Sequence, residues 1–139
     1  MNNDNILQAK EVAKKWCHEK GCGLIDDLHS EYCSIKESVN HFDELGFFGG
    51  LIKVDGEPVA MTIGEEVFED MVVVHYEKAV ESYQGAYTVV NNSFSKDLLE
   101  RGYKYINREE DLGIEGLRKA KLSYKPEILL EIYACTLKE

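Results

Sequence analysis

The sequence predicts an α/β domain in which helices flank a mixed central sheet, and three observations support this prediction. The chain opens with two amphipathic helical patterns, at 5–20 and 30–45, whose apolar residues recur at i, i+3 and i+7. Asp55-Gly56 then separates two apolar runs, which is a strong signal for a β-hairpin. The run at 71–74 is continuously apolar, so it predicts a strand that is covered on both faces.

The second half of the chain alternates between helices and strands, as α/β domains do. Its predicted elements are a helix at 82–101, a strand at 103–108, a helix that ends at Pro126 and a last strand at 128–137. Glycines mark the boundaries, since Gly102 stops the first of these helices and Gly113 allows a turn before the second.

The boundaries in the first half also have local signals. Asp4 is suited to cap the first helix, and Gly21 ends it. The residues 64–70, GEEVFED, are predicted to form a polar connection between two strands. The buried stripe of the first helix is predicted to hold Ile6, Ala9, Ala13, Trp16 and Cys17.

Length and composition indicate an ordinary globular protein. At 139 residues, of which 44% are hydrophobic, the chain is expected to form one domain over 1–139. The longest apolar runs fall short of the roughly 18 residues that span a bilayer, and the first residues do not resemble a signal peptide. We therefore expect a cytoplasmic protein that is not transmembrane.

The charge of the chain is strongly negative but uneven. A net charge of −10 repels nucleic acid, so we expect no DNA partner. Residues 101–126, which we call the basic island, nevertheless hold seven basic and four acidic groups. Such an island can dock an anionic small molecule, although a solvated helix face explains the same pattern equally well.

The cysteines do not indicate a metal site. Cys17, Cys22 and Cys33 lie close to His18 and His29 in the sequence, but their spacing fits no common zinc module. We therefore expect no metal and free thiols, including the fourth cysteine, Cys135.

Four segments of the chain resemble a known family. They read GGLIKVDGEPVAMTIGE, VVVHYEKA, QGAYTVVNNSF and INREEDLG-x-x-GLRKAKLSYKP, and they occur in this order over roughly residues 45 to 137. They resemble the phosphatidylglycerol lysyltransferase C-terminal-like family, whose members are similar to two tandem acyltransferase domains of the GNAT (Gcn5-related N-acetyltransferase) type. The resemblance implies a GNAT-like fold, with 71–75 and 103–108 as parallel strands that splay apart in mid-sheet.

The resemblance also implies that the chain corresponds to the C-terminal half of a family member. The full family is about twice as long, so this chain is either such a half or a short member that stands alone. Its implied partner is an N-terminal GNAT-like domain or a second copy of itself, in a homodimer.

The resemblance implies an acyl donor, either acyl-coenzyme A or aminoacyl-tRNA. GNAT enzymes hold the donor pyrophosphate at a strand-to-helix junction, with the signature Arg/Gln-x-x-Gly-x-Gly/Ala. Only Gln84-Gly85-Ala86 matches it here, and the second glycine is missing. The residues expected to contact the donor are Lys78, Gln84, Gly85, Ala86, Asn107, Arg118 and Lys121.

Tyr124 is the candidate general acid. LRKAKLSYKP matches the GNAT pattern Asn-x-x-Ala-x-x-x-Tyr at Ala120 and Tyr124, with Leu117 in place of the asparagine. By this resemblance Tyr124 would protonate the departing thiolate, or a ribose oxygen if the donor is an aminoacyl-tRNA. Alternatively, Tyr124 simply continues an apolar stripe with Leu117 and Ala120.

The candidates for a general base follow the two central strands. His75 and Glu77 end the first strand, and Glu109 or Asp111 follows the second. Alternatively, His75 is a structural hydrogen-bonding residue, as a lone histidine at a strand end more often is. The carboxylates after the second strand could instead form a buried network with Arg108 or Arg118.

Two functional hypotheses therefore remain. The first is an acyltransferase or aminoacyltransferase in which Tyr124, His75 and Glu109 are catalytic. The second is a non-catalytic GNAT-like domain that binds a partner domain or an anionic ligand through Arg118, Lys121 and Lys125. The dense polar residues at both strand ends favour the first hypothesis.

Overall fold

A mixed four-stranded sheet forms the centre of the first of two units into which the chain folds. The computed structural model describes residues 1–2, 5–110 and 112–137, so the predicted cap Asp4 and the carboxylate of Asp111 lie outside the described residues. The units are Met1–Asn107 and Arg108–Glu139. The first unit contains the helices α1 (Ile6–Lys20), α2 (Asp26–Asn40) and α3 (Ala86–Glu100) and the strands β1 (Phe48–Val54), β2 (Glu57–Phe68), β3 (Met71–Ala79) and β4 (Tyr105–Asn107).

The sheet has the order β1-β2-β3-β4, in which the first three strands are antiparallel and β4 runs parallel to β3. The predicted hairpin joins β1 to β2, and both Asp55 and Gly56 have positive φ, as the tight hairpin turn requires. The prediction of a mixed sheet flanked by helices is confirmed.

Helices cover both faces of the sheet. On one face α1 and α2 pack against β2, with a core of Ala9, Val12, Ala13, Ile35, Val39, Phe42, Met61 and Ile63. On the other face α3 packs against the sheet through two smaller clusters, which contain Ala60, Ala79, Ala86 and Val90, and Val72, Val74, Phe94 and Leu98. Each fully buried aliphatic side chain stabilises the fold by about 1.5–3 kcal/mol. The apolar cores on both faces of the sheet therefore contribute to its stability.

The structure corrects several predicted boundaries. The predicted polar connection at 64–70 is for the most part strand, because β2 continues to Phe68 and keeps its pairing with β3. The second helix begins at Asp26 and ends at Asn40, earlier than predicted at both ends. Gly85 adopts a left-handed conformation with φ 82°, so α3 starts only at Ala86.

The expectation of free thiols is wrong for two of the cysteines. Gly21 ends α1 in a left-handed conformation, with φ 67°, and turns the chain back toward the last helical turn. Cys17 and Cys22 are thereby paired as a disulfide, with their Cα atoms 5.2 Å apart. Cys33 and Cys135 are exposed free cysteines, as expected.

The second unit, Arg108–Glu139, contains the helix α4 (Glu115–Ser123). The sequence predicted that an apolar stripe on this helix is buried. This prediction is wrong, because Leu117 and Tyr124 are 42% and 46% exposed. The predicted strand at 128–137 is not formed in the described part of this unit, and its large apolar side chains are also exposed. The apolar pattern is present, but in the described part of this unit its large side chains are exposed.

Candidate functional site

The candidate site lies where β3 and β4 part. The parallel pairing joins Met71–Val73 of β3 to Tyr105–Asn107 of β4, and its last pair is Val73 with Asn107. β3 continues for six more residues to Ala79, whereas β4 ends at Asn107. We call the opening that begins after Val73 and Asn107 the β3–β4 gap. Along it, backbone groups of β3 face the side on which β4 has ended.

His75 stands at the mouth of the β3–β4 gap, in a bulge of β3. Ile63 of β2 pairs with Tyr76, but the next residue, Gly64, pairs with Val74, so His75 is the extra residue of the bulge. Such bulges re-aim a side chain, and they occur frequently beside active sites. The bulge therefore places the side chain of His75 differently from the way regular pairing between β2 and β3 would place it.

The imidazole of His75 contacts Glu65 and Phe47. Its Nε2 lies 2.9 Å from Oε2 of Glu65, and its ring centre lies 5.3 Å from that of Phe47. The side chain of His75 is 27% exposed and that of Glu65 is 44% exposed, so solvent reaches the pair. This histidine–carboxylate pair has the composition of a general base with an orienting partner.

Glu65 was missed by the sequence-based prediction. It fell in the supposed polar connection, ten residues away from His75. The signal that could have found it is strand alternation, because a β2 that continues past Ile63 places Glu65 on the same face as Ile63.

Glu77, the other candidate on β3, has a different environment. Asn91 of α3 is buried, and its amide donates to Oε2 of Glu77 over 3.4 Å. Thr62, the partner of Glu77 across the sheet, is fully buried. A small polar cluster therefore lies under α3, within an otherwise apolar face.

The predicted phosphate-binding residues lie at the far end of β3. Gln84 and Gly85 directly precede α3, and Ala86 is its first residue. The first N–H groups of a helix carry partial positive charge and suit an anion. A cavity of about 310 Å³ adjoins this helix start, and its lining residues include Ile52, Val59, Tyr83, Gln84 and Ala86.

One ion pair and one hydrogen bond hold the loop between β3 and α3 against α1. Lys20 pairs with Glu81, and the backbone N–H of Glu81 donates to the carboxylate of Glu19 over 2.8 Å. The hydrogen bond that Lys20 donates to the carboxylate of Glu81 raises the pKa of Lys20. The loop therefore has a fixed attachment, and the ammonium of Lys20 is already paired with a carboxylate.

Lys78 lies on the opposite side of the sheet from α3. Its Nζ is 2.7 Å from Oε1 of Glu31, and its side chain is only 14% exposed. Val80 begins the loop that leads to Gln84, and its N–H is bonded to the carbonyl oxygen of Val59. Lys78 is thus bound to α2 through an ion pair, whereas Gln84, Gly85 and Ala86 lie at the start of α3.

The remaining predicted site residues belong to the second unit, apart from Asn107, which ends β4. The ammonium of Lys121 donates to the carbonyl oxygens of Arg108 and Glu110, in the second case over 2.7 Å. The guanidinium of Arg108 lies 5.0 Å from the ring centre of Tyr124. Glu109 and Arg118 are exposed, so the predicted burial of an arginine–carboxylate network is wrong for these two residues.

Comparison with known proteins places the chain in a family. Residues 1–136 match the family described as phosphatidylglycerol lysyltransferase, C-terminal. The chain belongs to this family. No curated protein matches the sequence.

Solved structures support the same placement. The chain is similar to a conserved protein of unknown function from Bacteroides thetaiotaomicron VPI-5482, with 40% identity and a TM-score of 0.85. The match covers 93% of this chain and 43% of that protein, so the chain spans less than half of its length.

Solved structures with much lower sequence identity are informative about the fold of this chain but not about its function. An aminoglycoside antibiotic 6′-N-acetyltransferase from Acinetobacter haemolyticus has 10% identity and a TM-score of 0.60, over 100% of this chain and 95% of that one. An aminoglycoside N-acetyltransferase solved in complex with CoA has 11% identity and a TM-score of 0.58, over 100% of this chain and 91% of that one. The predicted GNAT-like fold is confirmed. In the described part of the chain, the helices lack the length and apolar character needed to cross a membrane.

Proposed function

We propose that this protein transfers an acyl group from a thioester or aminoacyl ester to a nucleophilic amine or hydroxyl. The observation that carries the proposal is the β3–β4 gap with His75 bulged into its mouth. Membership of a lysyltransferase family and the fold shared with acetyltransferases support it. The donor is either acyl-coenzyme A or an aminoacyl-tRNA, and because both are cytoplasmic molecules the proposal includes a cytoplasmic location.

In the proposed reaction His75 acts as the general base. The acceptor nitrogen or oxygen attacks the acyl carbon, and its proton passes to the imidazole. A new bond to the acyl carbon forms while the bond to the thiolate or ribose oxygen breaks, and the leaving group takes up a proton. Glu109 as an alternative base and Tyr124 as the acid for the leaving group stay predictions for the second unit.

The donor is proposed to bind along the outer edge of β3, with its phosphates at the start of α3. Lys20 and Lys78 are paired with Glu81 and Glu31, so backbone N–H groups beside Gly85 would supply most of the attraction for phosphate. A GNAT-like partner domain, supplied by a longer chain or by a second copy, would complete the acceptor side.

The donor site can be tested by calorimetry with coenzyme A and acetyl-coenzyme A. Gln84→Glu places a negative charge beside the start of α3 without changing the size of the side chain, so it should weaken binding about tenfold. Asn92→Asp makes the same change of charge on an exposed residue further along α3 and should have little effect. Equal effects of both variants would contradict the proposed donor site.

The reaction can be tested with His75→Gln. Loss of a general base should reduce turnover by about 10²–10⁴-fold, whereas His41→Gln, on an exposed histidine after α2, should not. The assay follows release of coenzyme A or of uncharged tRNA with a panel of amines and alcohols. Absence of transfer from both donors in the wild-type chain would contradict the proposal, unless addition of a partner domain restores it.

A further inference from the structure

We propose that the Cys17–Cys22 disulfide is a reversible thiol–disulfide exchange site, whose redox state sets how firmly the loop between β3 and α3 is held. The disulfide joins the last turn of α1 to the residue after Gly21, away from the β3–β4 gap. Its reagent is a dithiol, which reduces it, or a disulfide, which reforms it. The effect of this exchange on donor affinity rests on the proposed function, in which the start of α3 binds the donor phosphates.

The disulfide closes a very short segment. Cys17 and Cys22 are five positions apart in the sequence, and we call residues 17–22 the disulfide segment. The stability that a disulfide gains by restricting the unfolded chain grows with the length of the closed segment. This disulfide therefore acts chiefly on local order, at the end of α1 and at the left-handed Gly21.

The disulfide segment holds the loop that leads to the proposed donor site. The carboxylate of Glu19 accepts a hydrogen bond from the N–H of Glu81 over 2.8 Å, and the ammonium of Lys20 pairs with the carboxylate of Glu81. The side chains of Lys20 and Glu81 are 40% and 53% exposed, and such exposed ion pairs contribute little on their own. Their hold on the loop therefore depends on the order of the backbone that carries Glu19 and Lys20.

The two sulfurs differ in their access to a reagent. Cys17 is partly exposed, whereas Cys22 is 1% exposed. A thiolate of the reductant therefore attacks Sγ of Cys17, the Cys17–Cys22 bond breaks, and Cys22 leaves as a thiolate that takes up a proton. The second thiol of the reductant attacks the mixed disulfide, so Cys17 is released as a thiol and the reductant as a disulfide. Two electrons and two protons pass from the dithiol to the protein.

Reduction removes the covalent closure of the disulfide segment. Gly21 then regains conformational freedom, and the backbone that carries Glu19 and Lys20 becomes less ordered. The loop at Glu81 is held less firmly, so the N–H groups beside Gly85 are less well preorganised for phosphate. We therefore expect the oxidised chain to bind the donor more tightly. Cytoplasmic disulfides are usually catalytic or redox-sensing, so this role agrees with the proposed location.

The first measurement follows the thiols of the full chain by alkylation and mass spectrometry in mixtures of reduced and oxidised dithiothreitol. Cys17 and Cys22 should become reactive together, in one reversible two-electron transition of the folded chain. Cys33→Ser removes an exposed free cysteine and should leave this transition unchanged. A pair that is reduced only when the chain unfolds, or that does not reform, would overturn the exchange site.

The second measurement is amide hydrogen exchange, in which the N–H of Glu81 reports its bond to Glu19. Its exchange should be several-fold faster after reduction, and equally fast in Cys17→Ser with or without reductant. Lys14→Ala, on an exposed residue of α1 outside the disulfide segment, should respond to reductant like the wild type. Equal exchange rates in the oxidised and reduced wild type would contradict the coupling between disulfide and loop.

The third measurement is calorimetry with coenzyme A on the oxidised and the reduced chain. Reduction should weaken binding at least about fivefold, the lower end of the usual coupling between two sites. Combining Glu19→Ala with Lys20→Ala should abolish this difference, because the disulfide segment then no longer holds Glu81. Equal affinities in the wild type, or a difference that persists in the double variant, would overturn the effect on the donor. If neither state binds coenzyme A, the proposed donor site fails, while the first two measurements still decide whether the disulfide exchanges and holds the loop.

Discussion

The ammonium group of Lys78 lies 4.2 Å from the centre of the Trp16 ring, between the sheet and α1. A cation at this distance from an indole face is held by the ring, and Glu31 adds an ion pair at 2.7 Å. Three elements, α1, α2 and β3, therefore meet at one lysine. The arrangement is that of a structural contact in a mostly buried place.

We predict that Lys78→Ala destabilises the fold by about 1–2 kcal/mol, because it removes the cation–π contact and leaves Glu31 without this partner. Thermal melting should show a drop of several degrees, while the affinity for coenzyme A stays unchanged. Lys53→Ala, on an exposed lysine of β1, is the control and should melt like the wild type. A large loss of coenzyme A affinity in Lys78→Ala would instead support direct contact with the donor.

Local patterns were sufficient to predict much of the first unit. Asp55-Gly56 predicted its hairpin because few other dipeptides accept two positive φ angles. Gly21 predicted the end of α1 for a similar steric reason. The apolar run at the start of β3 predicted a central strand because burial on both faces leaves no polar alternation.

Only one of the two residues of the candidate site, His75, could be predicted from the sequence, because the other, Glu65, comes from a different strand. His75 follows an apolar run and could be noticed from the sequence, but Glu65 reaches it through antiparallel pairing and a bulge. The Cys17–Cys22 pair depends in the same way on the left-handed turn at Gly21. Apolar periodicity in α4 and at 128–137 indicated faces suited to burial, but it could not identify the surface that would cover them.

Gly64 should tolerate no side chain, because it lies opposite the bulge. A Cβ added there would lie 2.9 Å from the carbonyl oxygen of Val73 and 3.0 Å from the side chain of Val72. We predict that Gly64→Ala destabilises the fold by about 1–3 kcal/mol and shifts the ring signals of His75. Gly23→Ala, where an added Cβ meets no atom within 4 Å, should do neither. Urea unfolding of both variants checks the prediction, and equal midpoints would contradict it.

The contribution of Glu57 to stability should depend on pH. Lys15 donates to one of its carboxylate oxygens over 2.6 Å and Tyr83 to the other over 3.1 Å. These two bonds lower the pKa of Glu57, the bond from Lys15 most. A carboxylate whose pKa is lower in the folded state stabilises the fold above its ordinary pKa, and this stabilisation disappears as pH falls through the lowered value.

Glu57→Gln should therefore melt below the wild type near neutral pH and approach it at about pH 3 or lower. The Glu57 side chain is about half exposed and solvent reaches the Lys15–Glu57 pair, so the shift in melting temperature should be small and should shrink further in high salt. Glu69→Gln, on an exposed carboxylate in the β2–β3 turn, provides the control. A difference between wild type and Glu57→Gln that stays constant from neutral to acid pH would show that the carboxylate charge contributes nothing.

Tyr124 is the residue whose hydroxyl separates catalysis from packing. Its side chain is 46% exposed, so burial in a core does not explain the ring. The guanidinium of Arg108 lies 5.0 Å from the ring centre, a contact that a phenylalanine ring can also make. Tyr124→Phe therefore removes the hydroxyl and keeps the stacking on Arg108.

We predict that Tyr124→Phe changes the free energy of unfolding by less than about 1 kcal/mol and lowers turnover by at least about 10²-fold, since a general acid typically contributes 10²–10⁴-fold. Tyr133→Phe is the matched control, because it removes a hydroxyl from a tyrosine of the same unit that is 75% exposed. Thermal melting gives the first quantity and donor turnover the second. Wild-type turnover in Tyr124→Phe would reduce this tyrosine to a stacking partner for Arg108, and His75 with Glu65 would then remain the acid–base pair to examine.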